Sequence, residues 1–401
     1  MTGVPEVLVQ KFGGSSVAVT QDLRRVVGII KQACQSARSV VVVVSARGNT
    51  TNELIDLAAE VSAAPSPREL DQLLATGEVA SAALLAIALE DLGIPAVSLD
   101  GRQAGISARG QHGQGVVTEI NTGRVRELLA EGKVVVVAGF QGVNPAGDVV
   151  TLGRGGSDTS AVALTAALGQ SQCHIYTDVD AVYSSDPRTV PSAHKLPAIP
   201  LTEVAELAFA GAKVLHHRAG GLAAANGIEL RVSSSFRPGA GTTAGNQGQI
   251  RPESQVTAVA LDTDAVKVSI GADLAACVLS VLARDCAAID LFGWHQDRMV
   301  FTVRQEFMPS VRQVLQARRA EHADDLTTIE AVAKASAVGR GLLSSAEYLA
   351  RVTNALRLAG VPADTVSAAQ SRISAIVPID CAATAVEALH AEFALGEATD
   401  P

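Results

Sequence analysis

The chain has 401 residues, 48% hydrophobic and 18% charged, with 32 Lys and Arg against 41 Asp and Glu and a net charge of −9. That length accommodates two or three domains with an ample core, and the acidic balance argues against nucleic acid or an anionic membrane as the main partner. Five scattered cysteines (Cys34, Cys173, Cys277, Cys286 and Cys381) form no CxxC pair, so neither a disulfide framework nor a zinc site is expected.

The opening residues, MTGVPEVLVQKFGG, lack a charged-then-apolar signal pattern, and no apolar run reads as long enough to span a bilayer. A cytoplasmic protein is expected. Residues 7–10 form a short apolar strand, KFGGSS follows at 11–16, and a helical pattern runs through Val26, Val27, Ile29 and Ile30. The unbroken valine run at 40–44 marks a strand buried on both faces. SARGNTTNEL at 45–54 turns out of it into a helix, and residues 76–92 read as a long helix with Glu78 near its start. Strands at 94–99 and 134–138 follow, the second leading into GFQGVN. Residues 149–152 end another strand, before GRGGSDTS and an alanine-rich helix closed by Gly169. A strand at 173–178 runs into VDAVYSSDPRTVP, a helix at 202–209 into GAKVLHHRA, and a strand at 228–232 closes the set. Alternating strands and helices give an α/β domain with a mostly parallel sheet, and sites in such sheets lie at the carboxyl ends of strands.

Residues 236–255 are polar, glycine-rich and aperiodic, and read as a linker. Beyond them strand-like segments at 266–270, 299–303, 329–333 and 373–377 alternate with helical ones at 274–283, 345–358 and 383–393. This is a weak βαββαβ repeat of about 65 residues with no catalytic-looking cluster.

Four constellations can carry chemistry. Gly153, Gly155 and Gly156 surround Arg154, with Ser157 and Asp158 where helix N-caps sit. Free N–H groups beside a guanidinium make an anion site, although a well-capped loop has the same appearance. Lys11 precedes Gly13 and Gly14 at a strand end, so it can reach a phosphate or simply face solvent in a tight turn; it does not form a GxxxxGK[ST] loop. Glu78 is either a dipole partner near a helix start or a carboxylate for a substrate ammonium. Thr177, Asp178, Tyr183, Asp186 and Arg188 lie on a polar loop able to hold a nucleotide, and Lys213 is a second phosphate contact or a solvated residue. His216 and His217 are adjacent and so face different ways, which argues against a metal pair. Hydride transfer, serine hydrolysis and zinc hydrolysis find no motif.

Together and in this order, KFGGSS, SARGNTTNEL, TGEVAS, QAGI, VAGFQGVN, TLGRGGSDTSAVALTAALG, YTDVDAVYSSDPRTVP, AGAKVLHHRA and RVSSSF closely resemble the aspartate kinases of the amino acid kinase family. The resemblance spans residues 7–236, and the C-terminal region looks like the pair of ACT regulatory units such kinases carry. It implies an eight-stranded, carbamate kinase-like αβα sandwich at 1–245, with a linker at about 237–256. Two ferredoxin-like α+β ACT units follow, the first (257–327 plus 391–401) enclosing the second (328–390). It also implies transfer of the γ-phosphate of ATP, with Mg²⁺ carried by ATP, to the β-carboxylate of L-aspartate, as the first step of the aspartate-family pathway or of a secondary branch. Alternatives are a related acidic substrate or a non-catalytic ACT-containing sensor.

By the same resemblance Lys11, Gly13 and Gly14 contact the transferred phosphate. Thr51, Glu78, Arg154 and Ser157 form the aspartate pocket, and Asp158 organises the site. Phe12, Thr177, Asp178, Tyr183, Asp186, Arg188 and Lys213 serve ATP, and no residue is a resident metal ligand. A homo-oligomer, dimer or tetramer, paired through ACT units is implied, with an amino-acid effector there.

The chain departs from the family pattern at Arg47, Arg102 and His217, which we read as neutral to the chemistry. It departs more in the ACT region. GADLAAC at 271–277 lacks the usual Pro-Gly turn, AAIDLFGW stands at 287–294 and SAAQSRISAIV at 367–377. Weak or altered feedback by lysine and threonine is therefore expected.

Overall fold

The computed structural model describes residues 6–36, 39–212, 214–237, 239–245, 254–285, 287–318 and 328–396. The chain forms two compact units, one of Met1–Val182, Leu196–Ala205 and Lys213–Gly248, the other of Tyr183–Lys195, Glu206–Ala212 and Gln249–Pro401.

In the first unit the elements follow as β1 (Val7–Phe12), α1 (Thr20–Gln35), β2 (Ser39–Val44), α2 (Thr50–Val61), α3 (Pro67–Asp91), β3 (Ala96–Leu99), β4 (Ile106–Arg109), β5 (Val116–Ile120), α4 (Gly123–Ala130), β6 (Val134–Ala138), β7 (Gln141–Val143), β8 (Val149–Thr151), α5 (Gly156–Ala167) and β9 (Gln172–Thr177). The short strands β10 (Val182–Tyr183) and β11 (Lys195–Leu196) bracket a loop. Then come β12 (Ala198–Ile199), α6 (Leu201–Phe209), which groups with the second unit from Glu206 on, α7 (His217–Asn226), β13 (Glu229–Ser234) and β14 (Thr242–Ala244).

Eight strands form one sheet in the order β12-β14-β13-β9-β1-β2-β6-β3, parallel except where β14 runs against β13. The valines of β2 and β6 are all buried because helices cover both faces. On one face α1 and α3 pack Val26, Ile30, Leu85 and Leu89 onto Phe12, Val42 and Val136. The chain leaves β1 towards β2 on one side and returns through β9 on the other. The crevice at the carboxyl end of β1 is therefore a topological switch point, where α/β sheets hold ligands. A smaller sheet, β5-β4-β7-β8, stands apart.

The second unit contains β15 (Gln255–Gly271), α8 (Ala272–Arg284), β16 (Asp290–His295), β17 (Arg298–Arg304), α9 (Met308–Arg318), β18 (Thr328–Arg340), α10 (Glu347–Leu358), β19 (Thr365–Ala368), β20 (Arg372–Val377) and α11 (Ala382–Glu392). Its strands form a single antiparallel sheet, β16-β17-β15-β18-β20-β19. Its two larger apolar clusters lie around Val278, Phe301 and Val311 and around Ala335, Val352 and Leu389, and a smaller one joins Ala265, Leu291, Val332 and Ile376.

Four sequence expectations are corrected. The long helix begins at Pro67, not at residue 76, because Pro67 suits a first helical turn and the pattern continues through Gly77. Glu78 consequently sits mid-helix, away from the free N–H groups of the helix start. Ser157 and Asp158 are not N-caps: Gly155, in left-handed conformation, caps α5, and both residues fall in its first turn. The supposed linker contributes β14, which pairs with β13. Finally, α3 is long and apolar enough to cross a membrane by composition. One face of it packs into the first unit's core, with Asp71 and Glu78 among its buried residues.

Candidate active site

Lys11 is the penultimate residue of β1 and only 8% exposed. Its Nζ lies 2.6 Å from Asp158 Oδ1, off the hydrogen-bonding directions, so charge holds the contact. Asp158 is also buried, and its Oδ2 accepts from the His216 backbone N–H at 3.2 Å. That contact gives His216 a role no metal reading supplies. Among the described residues no cluster of His, Cys, Asp or Glu could hold a metal ion. Gly155 has to be glycine: its φ is +69°, and a Cβ would lie 2.4 Å from the His216 ring.

The turn after β1 is as tight. A Cβ on Gly14 would stand 2.6 Å from the Ala46 carbonyl oxygen. Gly48 N–H donates to Gly14 O at 3.0 Å, and Gly13 N–H donates to Tyr176 O at 3.1 Å. The Lys11 ammonium lies beside Gly13, 3.5 Å from where its Cβ would be. Phe12 stacks on Tyr176, with ring centroids 4.7 Å apart. The ends of β1, β2 and β9 thus bring a cation against a tight, internally hydrogen-bonded backbone turn. Arg47 braces it, donating from Nε to Val17 O and from Nη2 to Ala18 O at 3.0 and 2.9 Å.

Glu78 is 3% exposed. Its Oε1 accepts from Ala46 N–H at 2.9 Å, while Oε2 is buried without a hydrogen-bond partner. Burial pushes its carboxyl up to about 7, opposed by the Ala46 N–H. A buried acceptor aimed nowhere within the protein awaits a donor. Ser157 packs buried against Gly139, whose Cβ would fall 2.7 Å from that of Ser157. Arg154 is exposed at the mouth of α5, and Thr51 is half-buried in the first turn of α2.

Lys11, Phe12, Gly13, Gly14, Thr51, Glu78, Arg154, Ser157, Asp158, Thr177 and Asp178 all belong to the first unit. Thr177 Oγ1 donates to Asp178 Oδ1 at 3.0 Å. Tyr183, Asp186 and Arg188 lie on the segment grouped with the second unit, where Arg188 Nη2 pairs with Asp186 Oδ2 at 2.7 Å. Lys213 lies outside the described residues. The Ala46 N–H and the His216 N–H were not singled out from sequence, since a backbone donor leaves no side-chain signature.

A model of the amino acid kinase family matches residues 6–234, and an ACT domain model matches residues 336–393. The chain is 39% identical to an aspartokinase of Thermus thermophilus over 98% of this chain and 99% of that one. It is also 39% identical to an aspartokinase of Geobacillus stearothermophilus, with 98% of each covered. Its fold superimposes on E. coli aspartokinase III in complex with aspartate and ADP (TM-score 0.83, 26% identity, 96% and 99% covered). For the same enzyme with lysine and aspartate the TM-score is 0.71 at 25% identity, with the same coverage.

Proposed function

The chain belongs to the amino acid kinase family, among its aspartokinases, and from that premise we propose how its residues share the work. It is an ATP-dependent kinase with a carboxyl acceptor, converting L-aspartate to 4-phospho-L-aspartate and ADP. The attacking β-carboxylate is already ionised at neutral pH, so no general base is required. One of its oxygens bonds to the γ-phosphorus as the bond to the β-phosphate bridging oxygen breaks. The demand on the protein is to bring two anions together and to neutralise developing charge.

The observation that carries the assignment is the Lys11–Asp158 pair beside the Gly13–Gly14 turn. Asp158 aims the ammonium, and Lys11 with the Gly13–Gly14 turn takes the γ-phosphate. Mg²⁺ travels with ATP and adds positive charge at the phosphates. Arg154 grips the α-carboxylate of aspartate, Glu78 Oε2 receives its α-ammonium, and Ser157 and Thr51 complete the pocket. Phe12, Thr177, Asp178, Tyr183, Asp186, Arg188 and Lys213 serve the nucleotide. The ACT units are assigned to 257–327 with 391–401 and to 328–390, in a cytoplasmic homo-oligomer. Their drift at 271–277, where α8 starts without a Pro-Gly turn, supports weakened feedback by lysine and threonine.

Steady-state kinetics test the division of roles. Lys11→Met lowers kcat by about 100-fold or more with little change in the aspartate KM, as loss of a transition-state contact requires. Arg154→Ala raises the aspartate KM by about tenfold or more with a smaller effect on kcat. Equal effects on both parameters in both variants would refute the division.

A further inference from the structure

Asp71 is the most completely engaged carboxylate near the site, yet it touches none of the proposed substrate contacts. It is 1% exposed. Its Oδ2 accepts from Gly113 N–H at 2.9 Å, Thr151 N–H at 3.0 Å and His112 Nδ1 at 2.8 Å. Facing a carboxylate, Nδ1 is the protonated ring nitrogen. Oδ1 accepts from Thr151 Oγ1 at 2.5 Å. The partners come from two other segments, the 110–115 turn and the end of β8.

Both segments lead to Arg154. Thr151 ends β8, three residues before it, and Gly115 N–H donates to Thr151 O at 2.8 Å. Gly153, at φ +77°, lies on the same turn: its Cβ would meet Gln114 Oε1 at 2.9 Å and Gly113 O at 3.3 Å. The backbone entering Arg154 therefore rests on a floor that Asp71 holds. In the other direction, Asp71 and Glu78 are seven residues apart on α3, two turns along one face. One buried carboxylate joins the helix that carries Glu78 to the strand and turn that deliver Arg154.

We propose that Asp71 is a positioning residue of the aspartate pocket, fixing the distance between the guanidinium that grips the substrate carboxylate and the carboxylate that receives its ammonium. The inference rests on the roles given above to Arg154 and Glu78. Burying a charge to splice a helix onto a strand is a costly way to make a merely structural joint, because well-packed apolar residues serve as well or better. A carboxylate with four directed donors sets position and orientation, which packing alone does less sharply.

The test is kinetic, on the full chain. Asp71→Asn presents an amide N–H to donors, and Thr151→Val deletes one hydroxyl at nearly constant volume. Each raises the aspartate KM, Asp71→Asn by about 10- to 100-fold, while the ATP KM stays within about twofold, because an ångström of misplacement affects only the ligand gripped there. Thr151→Ser keeps the hydroxyl and recovers most of the lost affinity. An unchanged aspartate KM in Asp71→Asn overturns the proposal. So do parallel changes in both KM values and kcat, which a structural role gives, and so does a Thr151→Ser variant as impaired as Thr151→Val. If Asp71→Asn does not fold, the Thr151 pair decides alone. Arg154→Ala separates the premises: an unchanged aspartate KM there defeats the pocket assignment itself, whereas a raised KM beside indifferent Asp71 and Thr151 variants defeats only the positioning.

Discussion

If Glu78 receives the substrate ammonium, aspartate binding must expel a proton near neutral pH. The carboxyl is buried, with one oxygen held by Ala46 N–H and the other unpartnered, and its pKa is raised to about 7. At pH 7 about half of the free enzyme therefore carries a proton on Glu78. An ammonium at Oε2 favours the carboxylate and drives that proton off. Titration calorimetry in two buffers of different ionisation enthalpy counts protons released per aspartate bound, with a non-hydrolysable ATP analogue present. The expected count is about 0.5 at pH 7, falling below about 0.1 at pH 8.5, where Glu78 is already ionised. A count that is zero at pH 7, or that does not fall by pH 8.5, would refute the ammonium role. The same group has a stability signature. The folded state holds this proton more tightly than the unfolded one, whose value is 4.5, so stability falls as pH rises from there to about 7 and is flat above. The raised pKa corresponds to a penalty of about 3 kcal/mol at pH 8 for the unliganded protein. Glu78→Gln removes that pH dependence while weakening aspartate binding.

Arg47→Ala removes two donors to the carbonyls of Val17 and Ala18 and loosens the turn that carries Gly13 and Gly14. It should raise the ATP KM by about three- to tenfold with a smaller effect on the aspartate KM, corresponding to about 1 kcal/mol of lost bracing. Equal and unchanged KM values would return Arg47 to the neutral role its sequence position suggests. In the second unit, burial alone would raise the Asp290 carboxyl, but hydrogen bonds from Arg372 and the charge of Lys334 hold it well below the usual carboxylate range. Its stabilisation is therefore present above the ordinary carboxylate pKa and is lost as pH falls below it. Asp290→Asn should destabilise the protein at pH 7, leaving Lys334 and Arg372 underpaired, and flatten the acid limb of its thermal melting curve. An acid limb identical to that of the parent would remove Asp290 from the account.

The architecture was legible where burial leaves a compositional trace. The valine runs of β2 and β6 and the glycines before α5 announce a covered parallel sheet with loops at strand ends, and the ordered motifs place Lys11, Glu78, Arg154 and Asp158. What escaped depends on contacts far apart in sequence. The start of α3 was misjudged because only Asp71, Leu74 and Ala75 of residues 67–75 are buried, and the charged Asp71 among them faces inward only because β8 and the 110–115 turn supply its donors. Asp71 carries no signal in the sequence, since its four donors lie 41 to 80 residues away. The strand β14 hid in a glycine-rich stretch because its pairing with β13, not its own propensity, makes it a strand. The clamp of Arg47 on two backbone carbonyls likewise has no side-chain partner for a motif to display.

Transfer of the γ-phosphate of ATP onto the β-carboxylate of aspartate is tested by ADP release from the purified enzyme with L-aspartate, with L-glutamate and with no acceptor, coupled to trapping of the acyl phosphate by hydroxylamine. ADP formed only with aspartate, matched mole for mole by aspartyl hydroxamate and abolished in Lys11→Met, is the predicted result. ADP release that is independent of the acceptor, or greater with glutamate, would contradict it.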